Sequence, residues 1–300
     1  MNIRDLEYVL AVAEKRHFGL AAAACNVSQP ALSAQIKKLE ETLGLRLFDR
    51  TTRDVAPTPE ADFVISHARR ILENVGEIKK YARLHREGLQ TKIINLGVIP
   101  TIAPYYLSEF FNQIGKWAKA HNISWQIHED KTDRLLAQMQ EGKLDGAILS
   151  LPVRTEGLKF KKLFQEPFYL AVPVGHKYAA LKTAEPGDVT GAEWLLLDDG
   201  HCLKDQMLGI CEKIRSPASP VYGHSFRATS LETLRHMVAT HSGVTLMPEM
   251  AKRKNDGIVY IPFGNAKYSR AIGFVWRTGS LYAAELQEIA NKLTREETQG

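Results

Sequence analysis

The sequence has few cysteines and no long apolar run. Only three of its 300 residues are cysteine, which is too few for a structural disulfide framework, and no CxxC pair indicates zinc, so we expect no metal and no cofactor. No stretch reaches the roughly 18 apolar residues of a membrane-spanning helix. The first residues include acids and no apolar block, and we therefore expect a cytosolic protein without a signal peptide.

Positive charge is present but spread thinly. The net charge is +5, from 39 Lys and Arg against 34 Asp and Glu. Residues 1–60 hold eight residues of each sign, whereas residues 61–92 hold seven basic and four acidic residues. This distribution excludes a uniformly basic nucleic-acid-binding module, so any DNA contact must depend on the placement of a few cations.

The first part of the chain predicts three short helices. Leu6 and Val9 mark the first helix, and Gly19 begins a second helix of small residues. A third helix follows the N-cap Ser28 and ends at Gly44. Such an arrangement is typical of a helix-turn-helix unit, whose second helix enters the major groove; the alternative is a small helical core with a solvated face. The predicted DNA contacts on the third helix are Gln29, Pro30, Ser33 and Lys37.

Residues 45–55 predict two short strands around a tight turn. Arg50 and Arg53 would then project near the tip of this hairpin. The hairpin would form a wing beside the helix-turn-helix unit.

A long helix is predicted after the wing. Thr58 is a suitable N-cap, Pro59 fits the first turn, and the pattern ends before Gly88 in a hinge over 88–90. A narrow apolar stripe runs along the helix through Val64, Ala68, Ile71, Leu72, Val75, Ile78 and Ala82. So long a helix with so narrow a stripe favours pairing with a second helix; packing on its own C-terminal domain is the alternative.

Strands and helices alternate over the rest of the chain. The predicted strands are 93–99, 123–128, 144–149, 169–174, 194–197, 224–226, 244–247, 258–262 and 271–276, and the main helices are 105–121, 132–140, one capped by Ser230, and 281–293. The initial β-α-β-α-β order predicts an open parallel sheet. We expect two α/β lobes with crossings near Gln165 and Tyr268, and a ligand cleft between the lobes.

Two cysteines flank a short helical pattern at 200–211. Leu203 and Met207 recur at helical spacing, which places Cys202 in the first turn and Cys211 at the end. Nine helical residues rise about 13–14 Å, whereas a disulfide needs Cα atoms within about 7 Å. A bond between these sulfurs would therefore require the helix to unravel. The alternative is that both cysteines are small apolar core residues.

The neighbours of Cys202 favour its ionised form. A helix N-terminus carries partial positive charge, and His201 and Lys204 add positive charge nearby. The thiolate that results is the form that peroxide attacks.

A resemblance to LysR-type transcription regulators rests on two runs in the first part of the chain, Ser28-Gln29-Pro30-Ala31-Leu32-Ser33 and Leu47-Phe48-x-Arg50. Two further runs resemble the hydrogen-peroxide-sensing members of that family. These are Gly200-His201-Cys202-Leu203 with Asp205-Gln206, and the run from Phe226 to Arg235. The resemblance implies an α/β protein with three parts. These are a winged helix-turn-helix DNA-binding domain over 1–58, a linker dimerisation helix over 59–88, and a two-lobed, periplasmic-binding-protein-like regulatory domain over 89–300.

The resemblance also implies roles for single residues. It implies a reversible disulfide between Cys202 and Cys211, and contact of Arg50 and Arg53 with phosphate or the minor groove. The implied peroxide pocket and its support comprise Thr101, Thr132, His201, Lys204 and Asp205. Lys204 stands where the family has arginine, which keeps the charge but not the planar fork of donors. From the residues alone, Thr101 and Thr132 are also candidates for simple helix caps.

The partners implied are double-stranded DNA with a pseudo-palindromic site, a second copy in a homodimer, a homotetramer, RNA polymerase, hydrogen peroxide, and a glutaredoxin- or thioredoxin-type reductant, with no membrane. Three functions compete. The first is a peroxide-sensing regulator, the second a LysR-type regulator that binds a small effector between its lobes, and the third a thiol peroxidase. The enzyme would leave the helix-turn-helix pattern unexplained, so we predict a regulator that is not an enzyme.

Overall fold

The computed structural model describes residues 1–50, 55–88, 91–153, 157–189, 191–198, 203, 206–207, 227–264 and 267–293. The chain divides into two compact units, of which the first contains residues 1–89 together with 140–142. Across the described ranges, no helix combines the length and the apolar character needed to span a bilayer.

The first unit contains four helices and a hairpin within its described residues. These are α1 (Ile3–Lys15), α2 (Phe18–Ala24), α3 (Gln29–Leu43), β1 (Phe48–Arg50), β2 (Val55–Pro57) and α4 (Pro59–Arg86). The predicted caps are confirmed, because Ser28 and Thr58 accept hydrogen bonds from backbone N–H groups at the starts of α3 and α4. Gly44 ends α3 with a φ of 66°, a left-handed conformation that glycine adopts without strain. The winged helix-turn-helix prediction is therefore confirmed.

Polar contacts fix the wing to the helices. The Glu40 carboxylate accepts hydrogen bonds from the backbone N–H groups of Leu47 (2.8 Å) and Phe48 (3.2 Å). The Thr58 hydroxyl donates to the carbonyl of Arg46 at 2.7 Å. The hairpin is consequently shifted along the chain from the predicted 45–55: β1 begins at Phe48, and β2 continues to Pro57.

Only the first part of α4 is buried. Ala61, Ile65 and Ala68 are its buried residues, and α4 packs against α1. Beyond Ala68, no described residue of α4 is buried, and Ile78 is 68% exposed. The distal half of the predicted stripe is therefore exposed or only half-buried in the described part of this single chain.

The second unit contains two lobes built on one curled sheet. Its first lobe has β3 (Lys92–Val98), α5 (Ala103–Ala120), β4 (Ile123–Glu129), α6 (Thr132–Gln140), β5 (Gly146–Leu151), β11 (Ser269–Arg277) and α8 (Ala283–Leu293). Strand β3 pairs in parallel with β4 and β5, as predicted. The sheet is not wholly parallel, however, because β11 pairs antiparallel with β5 and with the first half of β6 (Leu158–Pro173).

The second lobe contains the other half of β6, β7 (Leu196–Leu197), β8 (Arg227–Ala228), α7 (Leu231–Ala239), β9 (Thr245–Pro248) and β10 (Ile258–Pro262). Pro167 of β6 pairs with Ser269 of β11, and the next residue, Phe168, pairs with Pro248 of β9. The chain therefore changes lobes at the two predicted crossings. The predicted strand 194–197 is shorter, and the predicted strand 224–226 lies outside the described residues.

Candidate functional site

Three hydroxyl side chains lie where the parallel strands end. Thr101 follows β3, Thr132 follows β4, and Ser150 is the penultimate residue of β5. The carboxyl ends of parallel strands meet at one edge of a sheet, which is the usual binding position in open α/β folds. Two of these residues were predicted as site residues; Ser150 was not.

A buried arginine holds Thr101. The Arg270 guanidinium donates to the Thr101 hydroxyl at 2.8 Å and to the Thr101 carbonyl at 3.0 Å. The N-cap of α5 is Ile102, with no side-chain cap hydrogen bond. The simple helix-cap interpretation of Thr101 is therefore wrong. A hydroxyl that accepts a hydrogen bond keeps its own hydrogen, so Thr101 remains able to donate to a ligand.

Arg270 is itself paired with a buried acid. Its Nε atom donates to the Glu166 carboxylate at 2.7 Å, and both side chains are almost fully buried. The other Glu166 oxygen accepts from the backbone N–H of Met250 at 3.0 Å. Glu166 and Arg270 lie on β6 and β11 beside the crossings, so one ion pair joins Thr101 in the first lobe to Met250 in the second.

The side-chain hydroxyl of Thr132 lacks a hydrogen-bond partner among the described residues. Its Oγ1 is buried and makes no hydrogen bond with the residues that the structure describes. Thr132 is also the first residue of α6, not its cap, so the predicted capping role is wrong. Since an unsatisfied buried hydroxyl costs about 1–3 kcal/mol, a small polar ligand or a water molecule that bonds to it would be stabilised there.

The segment between the two predicted redox cysteines is described at three positions, all of them helical: Leu203, Gln206 and Met207. Leu203 and Met207 are fully buried in the core of the second lobe, as the predicted amphipathic helix requires. The Gln206 side-chain amide donates to the Ser150 hydroxyl at 2.8 Å. Its carbonyl oxygen is buried and lacks a partner among the described residues.

Five of the predicted site residues in this region, His201, Cys202, Lys204, Asp205 and Cys211, lie outside the described residues. The third cysteine, Cys25, is half-buried against the core of the first unit. Burial raises the pKa of the Cys25 thiol, and nearby Glu7 adds to this effect. A raised pKa disfavours the reactive thiolate, so we expect no redox role for Cys25.

The predicted DNA contacts lie on an exposed helix face. Gln29, Pro30 and Lys37 are exposed on α3, whereas Ser33 is half-buried. Lys37 lies 3.8 Å from the carboxylate of Glu41, with both side chains in solvent, so phosphate is able to compete for this lysine. Arg53 and the side chain of Arg50 lie outside the described residues.

Sequence reasoning missed Glu166, Arg270, Ser150 and Gln206. A usable signal existed for the first two, because each is a charged residue within two positions of a predicted crossing. Charged groups are rarely buried unless they are paired. The contacts of Ser150 and Gln206 join residues 56 positions apart, and no local pattern indicates them.

The chain matches two family models and resembles solved structures along nearly its whole length. Residues 3–62 match the bacterial regulatory helix-turn-helix protein of the lysR family, and residues 87–296 match the LysR substrate binding domain. The chain is 40% identical to the DNA-binding transcriptional dual regulator OxyR of Escherichia coli K12, covering 98% of this chain and 95% of the relative. Full-length OxyR from Pseudomonas aeruginosa, solved as a variant, is 30% identical with a TM-score of 0.62 and covers 98% and 94% of the two chains. A Corynebacterium glutamicum OxyR mutant with bound hydrogen peroxide is 30% identical with a TM-score of 0.59, covering 98% and 93%.

Proposed function

Because the chain belongs to the LysR family of bacterial helix-turn-helix regulators, we propose that it regulates transcription in response to hydrogen peroxide. The observation that carries this proposal is the 40% identity to OxyR of Escherichia coli over 98% of the chain. The structural relative with bound hydrogen peroxide supports the same signal. The protein works in the cytosol on double-stranded DNA, and it switches oxidative-stress genes.

The chemical step uses Cys202 and Cys211. The Cys202 thiolate attacks one peroxide oxygen, the O–O bond breaks, and the product is a sulfenic acid with hydroxide, which takes up a proton to leave as water. The Cys211 sulfur then attacks the sulfenic sulfur, an S–S bond forms, and a second water departs. A glutaredoxin- or thioredoxin-type dithiol restores both thiols by exchange.

The hydroxyl groups at the sheet edge suit peroxide. Hydrogen peroxide both donates and accepts hydrogen bonds, and Thr101, fixed by Arg270, keeps a hydrogen to donate. The buried Oγ1 of Thr132 is an available partner on the neighbouring strand end. His201, Lys204 and Asp205 complete the surroundings of Cys202 in this proposal, with the two cations favouring the thiolate.

Two states of comparable free energy allow a switch. Closing a loop of about ten residues by a disulfide is worth about 2–3 kcal/mol. Exposing Leu203 and Met207, both fully buried here, costs about 1.5–3 kcal/mol for each side chain. The cost of exposing one of these side chains is similar to the contribution of the disulfide, and exposing both costs up to about twice as much. Differences of this size allow oxidation to unravel the helix and reduction to restore it.

In this proposal, each of the three parts of the chain has a separate role. Residues 1–58 bind DNA through α3, with Arg50 and Arg53 on phosphate or in the minor groove, and residues 59–88 pair in a homodimer. Dimers associate into a homotetramer on a pseudo-palindromic site and contact RNA polymerase, while residues 89–300 carry the sensor.

Alkylation mass spectrometry tests the redox step. The full-length protein is treated with micromolar hydrogen peroxide, its free thiols are alkylated, and the peptides containing Cys202 and Cys211 are identified. We expect these two thiols to be lost together as one disulfide while Cys25 stays alkylated. If both thiols survived while DNA binding stayed intact, a small-molecule effector between the lobes would be the better function.

Dimerisation through α4 makes a separate prediction. Ile78→Asp places a charge on the exposed apolar stripe, and pairing of two helices would bury that charge without a partner, which is strongly unfavourable. We therefore expect analytical sedimentation to give a dimer dissociation constant at least about tenfold higher than that of the wild type. Gly76→Asp is the matched control, because a Cβ at Gly76 has no neighbour within 4 Å and this residue lies about 200° around the helix from Ile78. An unchanged dimer in Ile78→Asp would place the interface elsewhere.

A further inference from the structure

One hydrogen bond ties the segment between the cysteines to the first lobe. Gln206 lies four residues after Cys202 and five before Cys211, and its amide donates to the Ser150 hydroxyl at 2.8 Å. Ser150 is on β5 of the first lobe and is 3% exposed. We propose that the Ser150–Gln206 bond is a positioning contact that stabilises the reduced, helical form of the segment between the cysteines. It thereby sets the reduction potential of the Cys202–Cys211 pair, an inference that rests on the proposed function.

The bond specifies position more tightly than the apolar contacts beside it. Leu203 and Met207 are held by burial in the second-lobe core, and hydrophobic contacts are non-directional. The Gln206 amide instead needs a donor–acceptor distance near 2.9 Å and a favourable angle. Among the described contacts of this segment, the one with Ser150 is therefore the directional tie to the other lobe.

The buried amide of Gln206 has few hydrogen-bond partners to compensate for its lost hydration, which makes it sensitive to loss of the Ser150 hydroxyl. Its carbonyl oxygen is buried and has no partner in the described part of the chain. The bond to Ser150 thus offsets much of the desolvation of the whole amide. Removing the Ser150 hydroxyl leaves the amide with two unsatisfied ends, and the full penalty falls on the helical form.

The helical form is the one in which the bond exists. Nine residues of an ideal helix rise about 13–14 Å, whereas a disulfide requires Cα atoms within about 7 Å. Gln206, at the centre of this span, cannot keep its helical placement when the ends are joined. An interaction present in the reduced form alone makes the couple more oxidising, so its loss favours the disulfide.

The experiment compares Ser150→Ala with a matched control in the full-length protein. In Ser269→Ala the lost hydroxyl is also bonded to a glutamine amide, that of Gln165 at 2.7 Å, but this pair is exposed and includes no residue of the segment between the cysteines. Each protein is equilibrated in buffers of fixed glutathione ratio, where the two protein thiols reduce glutathione disulfide to two glutathione molecules. Alkylation then gives the ratio of disulfide to dithiol.

We expect about a tenfold rise in that ratio for Ser150→Ala, equivalent to a potential about 30 mV more negative, and a change below about twofold for Ser269→Ala. Gln206→Met, which removes the amide and keeps an unbranched side chain, should also raise the ratio. Adding Ser150→Ala to Gln206→Met should then add little, because the partner is already gone. This coupling distinguishes a specific contact from general loosening of the fold.

The two proposals fail in different ways. If the wild type forms the disulfide, and Ser150→Ala and Gln206→Met show the same disulfide-to-dithiol ratio as the wild type at each glutathione ratio, the positioning contact is overturned. The peroxide-sensing function then stands. If Ser150→Ala folds poorly, Gln206→Met alone decides, since an unchanged ratio there overturns the contact. If the wild type forms no Cys202–Cys211 disulfide at any glutathione ratio, the redox function and the contact fall together.

Discussion

In a Cys202→Ser variant, hydrogen peroxide is expected to have no effect on transcription from the regulated promoter. A serine hydroxyl stays protonated near neutral pH and does not attack peroxide as a thiolate does. The sulfenic acid therefore never forms, and Cys211 has nothing to condense with. The response should fall to the untreated level, while DNA affinity under reducing conditions stays close to that of the wild type, because residues 1–58 are unchanged.

Two further variants separate the roles of the cysteines. Cys25→Ser should respond to peroxide as the wild type does, since the raised pKa of that thiol disfavours thiolate. Cys211→Ser should still be oxidised at Cys202, giving a sulfenic acid that a dimedone-type reagent labels, but no disulfide. In vitro transcription and footprinting with each protein are the measurements. A full peroxide response in Cys202→Ser would rule out the thiol mechanism and favour an effector bound in the cleft.

Local chemistry explains what the sequence could predict of the fold. The caps at Ser28 and Thr58 depend on side chains within three residues of the N–H groups they accept from, so the starts of α3 and α4 were readable. The start of α2 was misplaced by one residue because its cap is His17, whose Nδ1 accepts from the N–H groups of Gly19 and Leu20. Histidine is not among the usual capping residues.

Pairing between distant parts of the chain explains which features of the fold could not be predicted from the sequence. The first half of β6 was missed because lysines interrupt its apolar pattern at Lys159, Lys161 and Lys162, and pairing with β11 makes it a strand despite them. At the site, Thr101 and Thr132 each follow a strand of the sheet. The helix-cap alternative is wrong for both, and no local pattern indicates the contact that Thr101 makes instead, because its hydroxyl is bonded to an arginine 169 positions away along the chain.

Arg270→Met is expected to lower the stability of the second unit by about 3–5 kcal/mol, because it leaves the Glu166 carboxylate buried without its cation. Both side chains are almost fully buried and joined at 2.7 Å. All four tryptophans lie beyond residue 100, so the urea midpoint of tryptophan fluorescence reports on this unit. With m-values of about 1–3 kcal/mol per molar urea, the midpoint should fall by at least about 1 M. Glu249→Gln, which removes the acid of the partly exposed pair with Lys252 at 3.4 Å, should change stability by less than about 1 kcal/mol.

The double variant Glu166→Leu with Arg270→Met separates stability from chemistry. Apolar residues in place of both charges should restore much of the lost stability, although the Met250 N–H loses its acceptor, at about 1–3 kcal/mol. Thr101 in this variant still lacks the guanidinium that fixes its hydroxyl, and misplaced ligand contacts slow reactions on the order of tenfold to a hundredfold. We therefore expect a folded protein whose Cys202 reacts with peroxide at least about tenfold more slowly than in the wild type, measured by stopped-flow fluorescence. A double variant that regained both stability and rate would show that the ion pair supports the fold and has no part in positioning Thr101 for peroxide.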